Sequence, residues 1–468
     1  MKHPFHQIHL YEIGSRLFCG KKGEHLPAIF NELEKKTPFV WADEIWLMGV
    51  WKNSPSSQRI AQTMPELQPG YQSVRSQLTN KDIYGSPYSI YEYNLDPLIG
   101  GDTDLTVIYE WFRSKNKKLI LDFVPNHMAI DSPLVSQFPN LFLQSIHSEQ
   151  DKNSFLHPNG NCYKHGKDPY FDGWTDTIQW DFSNPEVENY HIQILKTIAK
   201  HCDGVRCDMA MLPLPDVFER THGKKSVYHW ENVIYSVKSE FPDFRFYAEV
   251  YWGLDGTLRS LGFDATYDKS LYDELVHHRL DQVAEVISNE SGQISKPNLI
   301  RFLENHDENR AKLTFGEHSK TYFSLLSSLP GILLLFDGQE IGCLKKIPVQ
   351  MKNVDEESPD IEIEDFYKRA FAILSKRSKV LEYQTLNYTE MNQLPVFMRL
   401  LISDTQTELF LWNYQQVSCS GWIPYEEKIS YRETLKDIVS NQIYPQGKPQ
   451  KEGMYFKLEP NEIQWFIF

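Results

Sequence analysis

The sequence predicts an α/β chain built on a (β/α)8 barrel, and three observations predict it. Eight short apolar runs of strand character alternate with amphipathic stretches of helical period, the pattern of βα units around a parallel sheet. The chain has 468 residues, too many for one ordinary domain but enough for a barrel of about 250 residues with long loops and a small partner domain. Charged residues also gather where four of the runs end, on the face where barrel enzymes keep their chemistry.

The strand runs are His9–Ile13, Glu44–Met48, Lys118–Val124, Gly204–Cys207, Phe244–Val250, Gly262–Thr266, Leu299–Leu303 and Gly331–Phe336. Helices are expected between them over Glu24–Lys35, Thr103–Asn116, Val187–His201, Tyr228–Phe241, Ser270–Ser288 and Lys320–Ser328, with Ile363–Leu381 closing the barrel. Two insertions follow strands: Val50–Asp102 after the second, and Met128–Pro185 after the third, the latter rich in turn formers such as Pro158-Asn159-Gly160. Beyond Thr385 the pattern changes to short alternating runs, Val396–Leu401, Glu408–Trp412, Met454–Leu458 and Ile463–Phe468, which predict a small antiparallel β-sandwich. The expected organisation is a barrel over 1–127 and 186–384, an insertion domain over 128–185, and a C-terminal sandwich over 385–468.

Composition narrows the function. Hydrophobic residues make up 41% and charged residues 24%, as in a folded globular protein. A formal net charge of −15 would repel a nucleic-acid backbone or an anionic membrane surface, so neither is expected as partner. No run of 18 apolar residues predicts a spanning helix, and the polar start carries no signal-peptide pattern. Six cysteines, with no CxxC or CxxH spacing, suit free thiols in a reducing compartment, here taken as the cytoplasm, and not zinc. Aromatics reach 13%, with 11 Trp and 25 Tyr; most belong in a core, and some suit a cleft where a pyranose packs its apolar face.

The four strand ends carry the chemistry. They read Asp122-Phe123-Val124-Pro125-Asn126-His127, Gly204-Val205-Arg206-Cys207-Asp208, Tyr247-Ala248-Glu249-Val250 and Glu304-Asn305-His306-Asp307. A charge inside an apolar strand is costly unless it is paired or faces a cavity. Carboxylates held together push one pKa upward, which supplies an acid and a base near neutral pH. Two carboxyls flanking a glycosidic bond are the minimum for its cleavage through a covalent intermediate, and adjacent strands such as the fourth and fifth can hold them about 5–5.5 Å apart.

These segments resemble, in order, the signature regions of the α-amylase superfamily of retaining glycoside hydrolases. Three further segments agree: Gln179-Trp180-Asp181-Phe182 with Asn184-Pro185, Gly331-Ile332-Leu333 through Gly338-Gln339-Glu340, and Pro87-Tyr88-Ser89-Ile90-Tyr91-Glu92-Tyr93 leading to Asp96-Pro97. The likeness spans roughly residues 9–345. It implies that Asp208 is the nucleophile, Glu249 the acid/base and Asp307 the transition-state stabiliser. It further implies that Arg206 holds Asp208 ionised, that His127 and His306 donate to sugar hydroxyls, and that Tyr88 stacks beneath the ring. Asp122 matches a position of structural support.

The sequence also departs from that pattern. Met209-Ala210-Met211-Leu212 follows the nucleophile where many members carry Lys and His, which argues against long-chain amylase specificity and weakens the case for calcium. Met209 is bulkier than the residue usual at its place, and the insertion after the third strand is only moderate in length. Asn126 stands where calcium-dependent members place a ligand; no metal or other cofactor is expected, calcium being the single candidate. The expected function is a retaining hydrolase of α-linked glucosides or oligosaccharides, an α-glucosidase or a small amylase. Transglycosylases, isomerases and phosphorylases use the same glycosyl-enzyme, and the motifs do not separate them; a non-catalytic carbohydrate-binding relative is the remaining alternative. Linkage, aglycone and oligomeric state are not written in these motifs.

Overall fold

A computed structural model describes the chain except residues 1–2, 6, 102, 147–150, 290–297, 378–380, 386–393, 404–405, 426–428 and 430. Eight parallel strands close into a barrel: β1 Gln7–Gly14, β2 Glu44–Met48, β3 Lys118–Phe123, β4 Gly204–Cys207, β5 Arg245–Ala248, β6 Ala265–Tyr267, β7 Leu299–Arg301 and β8 Gly331–Phe336. Each pairs with the next, and β8 closes on β1 through the register Gly331↔Gln7 to Phe336↔Glu12. All eight predicted strands are therefore present and form the predicted barrel. They are legible because each is a short run buried on both faces, as in parallel sheets covered by helices. At the N-terminal end of the barrel, Arg245 pairs with the buried Glu44 at 2.8 Å, and the Tyr247 hydroxyl donates to the same carboxylate at 2.7 Å. That end is plugged by charge pairing, and the opposite end is left to open.

The helices depart from expectation where local chemistry interrupts them. Glu24–Lys35 is a 3-10 turn, Leu26–Ile29, followed by a short helix, Phe30–Glu34; Pro27 has no N–H to give a continuous helix. Ser270–Ser288 is two helices, Lys269–Val276 and Leu280–Asn289, with His278 between them in the left-handed region at φ 53°. The closing helix runs Ile361–Leu374, shorter than the predicted Ile363–Leu381, of which 378–380 lie outside the described residues. Its start is set by Asp360, whose carboxylate accepts from the Glu362 and Ile363 amides at 3.0 and 3.1 Å.

The insertion after β2 contains two helices the apolar pattern does not announce, Pro55–Thr63 and Gln68–Val74. The first is capped by Ser54, whose hydroxyl accepts from the Ser57 amide at 2.9 Å. The insertion after β3 leaves and rejoins the barrel through a two-stranded antiparallel ribbon, His127–Ala129 against Thr177–Gln179. This ribbon brings His127 to the rim.

The predicted C-terminal antiparallel structure is present as a five-stranded sheet in the order His3–Phe5, Leu381–Thr385, Phe397–Ile402, Thr407–Trp412, Ile463–Ile467. Met398, Leu400, Leu409 and Leu411 of this sheet pack on Met454, Phe456 and Leu458 of a second, two-stranded sheet. Two of the strands come from outside 385–468. His3–Phe5 is an edge strand with a proline at its centre, which suits an edge but hides the alternation that marks a strand. Among the described residues, no helix is long and apolar enough to cross a membrane.

Barrel and C-terminal sheet are joined by a buried ion pair. Arg377 reaches Glu408 with Nε at 2.8 Å and Nη2 at 2.7 Å, and the Trp465 indole donates to the same carboxylate at 3.0 Å. Glu408→Ala leaves the Arg377 guanidinium buried without this carboxylate, at an expected cost of about 3–5 kcal/mol. The denaturant midpoint should fall accordingly. An unshifted midpoint would show that the pair does not hold the two units together.

Candidate active site

The strand ends place the site through continued main-chain pairing. The Asp208 amide donates to Phe123 O at 2.8 Å, and the Glu249 amide donates to Cys207 O at 3.1 Å. Each carboxylate therefore sits one residue beyond its strand, still held by the neighbouring strand. Past Asp208 the backbone turns sharply: Met209 takes φ 42°, a conformation strained for a residue with a side chain. The turn aims the Met209 amide at Glu249, whose Oε2 accepts from it at 2.7 Å. Met209 itself lines the cleft, so its bulk occupies the wall beside the nucleophile.

Arg206, the third residue of β4, is the electrostatic centre. Nη1 donates to Asp208 Oδ1 at 2.6 Å, and Nη2 lies 2.8 Å from Glu249 Oε2, an ion pair whose angle falls short of a hydrogen bond. The guanidinium is almost wholly buried, with the rings of Trp46, Tyr88 and Tyr267 around it at 5.1, 5.3 and 5.8 Å. Burial alone would weaken its charge; Glu249, Tyr267, Tyr88 and Asp208 together drive its pKa the other way. A buried cation that persists between two carboxylates is a fixed feature of the site.

The three carboxyls titrate as a coupled group in unlike surroundings. Burial raises Glu249 to about 7, with Arg206 opposing, Asp208 and Asp307 reinforcing, and the Tyr251 hydroxyl, which donates to Oε1 at 2.7 Å, opposing again. Burial also raises Asp208, against the pull of Arg206. Asp307 is different. Burial would raise it, but His306, Arg206 and Lys346 outweigh burial and bring it to about 2. Its side chain is 45% exposed; it stands in the open part of a cleft ringed by protein, so the cations act on it while solvent still reaches it. Asp122 lies deeper. It accepts from Trp46 Nε1 at 3.0 Å and from the Gly49 amide at 2.7 Å, and so pins the end of β2 to β3.

The two predicted histidines differ in charge, one neutral and one cationic. Burial lowers His127 to about 4, so at neutral pH it is uncharged. His306 is as deeply buried, yet Asp307 and Glu12 raise its pKa well above the ordinary value. Its Nδ1 lies 2.5 Å from Glu12 Oε1, and its Nε2 lies 3.0 Å from Asp307 Oδ2 and 2.7 Å from the Tyr88 hydroxyl. The Tyr88 ring stacks on His306 at 5.4 Å.

A cleft of about 530 Å3 brings together Tyr88, His127, Asp208, Glu249 and Asp307; Arg206 and His306 lie directly behind its wall. Its other walls are Ile60, Ala61, Met64 and Leu67 from the first insertion, and Trp174 to Thr177 from the second. A larger hollow of about 750 Å3 lies on the far side of Tyr251. Its acidic groups are already paired, Asp255 with Arg259, Asp268 with Arg301 and Asp273 with Lys269, so the chemistry belongs to the smaller cleft. Beyond Glu249, Trp252 holds φ 61° and meets Tyr170 edge to face at 5.2 Å, with Arg220 over both rings. Trp252 and Tyr170 are 39% and 61% exposed, an aromatic surface beside the larger hollow, which Trp252 lines.

Sequence reasoning missed Glu12, Tyr251 as a partner of Glu249, and the Met209 amide. Glu12 had a signal, a lone carboxylate in an otherwise apolar strand; the other two depend on the turn after β4 and the loop after β5. The Asn126 side-chain oxygen, a possible calcium ligand by position, accepts from Gln179 Nε2 at 3.0 Å. Among the described residues, no group of three or more His, Cys, Asp and Glu gathers as an ion site.

No family model matches the chain. Alpha-amylase 2 of Dictyoglomus thermophilum is 26% identical over 391 residues, covering 76% of this chain and 62% of that protein; the chain thus spans about three fifths of that relative's length. A noncanonic maltogenic α-amylase from Thermotoga neapolitana superposes with a TM-score of 0.69 at 19% identity, over 98% of each chain. An α-glucosyl transfer enzyme superposes with a TM-score of 0.67 at 14% identity, again over 98% of each. The likeness to the α-amylase superfamily thus holds in sequence, and its fold is shared.

The difference in charge between the two histidines is directly measurable. In 15N-imidazole NMR at pH 7, His306 should carry both ring protons and His127 one. A neutral His306 at that pH would contradict the charge arrangement described here.

Proposed function

We propose that the chain is a retaining glycosidase that cleaves α-linked glucosides or short oligosaccharides by double displacement. The observation that carries this reading is the single buried guanidinium shared by Asp208 and Glu249. It holds the two carboxyls on either side of one cleft, an arrangement suited to the separation of about 5–5.5 Å that a covalent intermediate requires.

The roles follow from the surroundings. Glu249, at about 7, carries a proton near neutrality. Its Oε2 is engaged by Arg206 and the Met209 amide, so the proton is carried on Oε1, which the Tyr251 hydroxyl also orients, and passes from there to the leaving oxygen. Asp208, ion-paired to Arg206, attacks the anomeric carbon; the glycosidic C–O bond breaks as the aspartyl ester forms. Water, deprotonated by the Glu249 carboxylate, then cleaves the ester and restores both groups. Asp307, ionised and open to the cleft, holds ring hydroxyls and opposes the positive charge that develops at the anomeric carbon. His127, neutral, and His306, charged, donate to hydroxyls, and Tyr88 underlies the ring.

The short, partly apolar cleft favours small substrates over long polymers. In this reading the three carboxyls supply the acid, the nucleophile and the charge. We place the enzyme in the cytoplasm, where the thiols of Cys19, Cys202, Cys207, Cys343 and Cys419 stay reduced. Glucosyl transfer is the second reading. The exposed Tyr170–Trp252 pair borders the larger hollow that shares Tyr251 with the cleft, a surface on which an acceptor sugar would be retained to resolve the same ester in place of water.

Two experiments test the reading. Purified protein is given maltose, maltotriose, isomaltose, trehalose, sucrose and glycogen, with and without phosphate and excess acceptor, beside Asp208→Asn. Free glucose marks hydrolysis and new oligosaccharides mark transfer, and the variant should lose about four orders of magnitude or more of either. No turnover of any glycoside, or an active variant, would defeat the assignment. The second is a pH profile. Glu249 must be protonated to act as acid, so kcat/KM should fall as pH rises through about 7. Tyr251→Phe removes a donor that favours the carboxylate, so it should move this limb upward by up to about one unit. A downward shift would assign the limb to another group.

A further inference from the structure

We propose that Glu12 is a positioning residue for this reaction: from the end of β1 it holds the His306 ring by Nδ1, so that Nε2 presents a fixed proton to the cleft. The inference rests on the glycosidase reading above and adds to it a residue that touches no substrate.

The geometry leaves His306 little choice. Nδ1 lies 2.5 Å from Glu12 Oε1, and Nε2 lies 3.0 Å from Asp307 Oδ2. A ring with a carboxylate at each nitrogen makes both contacts as hydrogen bonds only when both nitrogens carry protons. Asp307 alone could be satisfied by a neutral ring bearing its proton on Nε2; Glu12 is what demands the second proton. With Nδ1 tied to β1, the ring cannot flip, and Nε2–H is aimed between Asp307 and the Tyr88 hydroxyl, where a sugar hydroxyl would sit.

Glu12 is held there at a cost. It is 0% exposed, and its second oxygen, Oε2, has no hydrogen-bond partner. A buried carboxylate with one oxygen unanswered lowers stability, so a purely structural role would be served better by an apolar residue or by glutamine. The other charged or titratable groups facing this pair are Asp307 on its own loop, Tyr88, Asp122 on β3, Tyr267 on β6 and Glu304 just after β7, with Arg206 across Tyr88. Of these, Asp307 alone makes a charged contact with the ring, and it does so at Nε2. Burial by itself would discharge the imidazole; Asp307 and Glu12 reverse that.

The test compares Glu12→Gln and Glu12→Asp with the wild type in three readouts: the 15N-imidazole titration of His306, the pH profile of kcat/KM on the best glycoside, and the denaturant midpoint. Glutamine keeps the shape and can still accept from Nδ1–H, but it removes the charge. It should lower the pH at which His306 loses its second proton. It should also reduce kcat/KM by about 10- to 100-fold, less than the 10²–10³ of deleting a preorganised donor outright, and add to the Glu249 limb a second loss of activity where His306 now gives up its proton. The denaturant midpoint should stay level or rise. Aspartate, charged but one methylene short, should keep most of the His306 proton and recover part of the activity. Wild-type kinetics and an unchanged His306 titration in Glu12→Gln would overturn the proposal, as would a loss of activity that merely tracks a lowered midpoint. If the wild type turns over no glycoside, the glycosidase reading fails, and the His306 titration still decides whether Glu12 sets the charge of that ring.

Discussion

The site depends on one buried cation. Arg206 is enclosed by three aromatic rings and meets a carboxylate at each end of its guanidinium. Without it, three carboxyls in a desolvated cleft would repel one another, and most would be forced to take up protons. With it, one proton is retained at Glu249, Asp208 is ion-paired, and Asp307 is left to the histidine on its other side. The aromatic box fixes where the charge sits, since a guanidinium sandwiched by rings has no other rotamer to occupy. Sheet pairing does the remaining work, because Asp208 and Glu249 hang from adjacent strands whose ladders run past their last regular residues.

A second charge system lies behind the first. Glu12, His306 and Asp307 form a chain that crosses from β1 to the loop after β7. The two systems meet at Tyr88, which lies over Arg206 and also touches His306. One tyrosine from the insertion after β2 therefore packs against both cations of the site. That explains why a long insertion is tolerated at this point of the barrel: it brings a ring that no barrel strand could place.

The barrel was legible because its strands are buried on both faces and so read as uninterrupted apolar runs; the edges of each were the least certain, as with Phe244–Val250, which holds its ladder only over Arg245–Ala248. The residues in the cleft were legible for a related reason, since charges at the ends of apolar runs have few places to go except a shared rim. What escaped was whatever depends on hydrogen-bonded detail. Pro55–Thr63 is helical because Ser54 caps it and Ala61 packs with Tyr71 and Ile83 in a buried cluster, not because its composition announces a helix. His278 splits a predicted helix by adopting a left-handed conformation that no propensity foretells. Glu12 stood in plain view in β1, but its meaning required a histidine 294 residues away.

The chain's first strand, His3–Phe5, pairs with Leu381–Thr385, and β1 immediately after it pairs with β8. The segment 3–14 thus finds these partners only more than 300 residues further along the chain. Until then β1 has one neighbour, β2, and the growing sheet keeps an open edge. Closure of the cylinder is consequently a late event, gated by synthesis and by the entropy of joining ends so distant along the chain. Every nascent molecule passes through a stage in which that edge must be shielded, and a truncation before β8 leaves an unclosed barrel whose bare edge is prone to associate with its own kind.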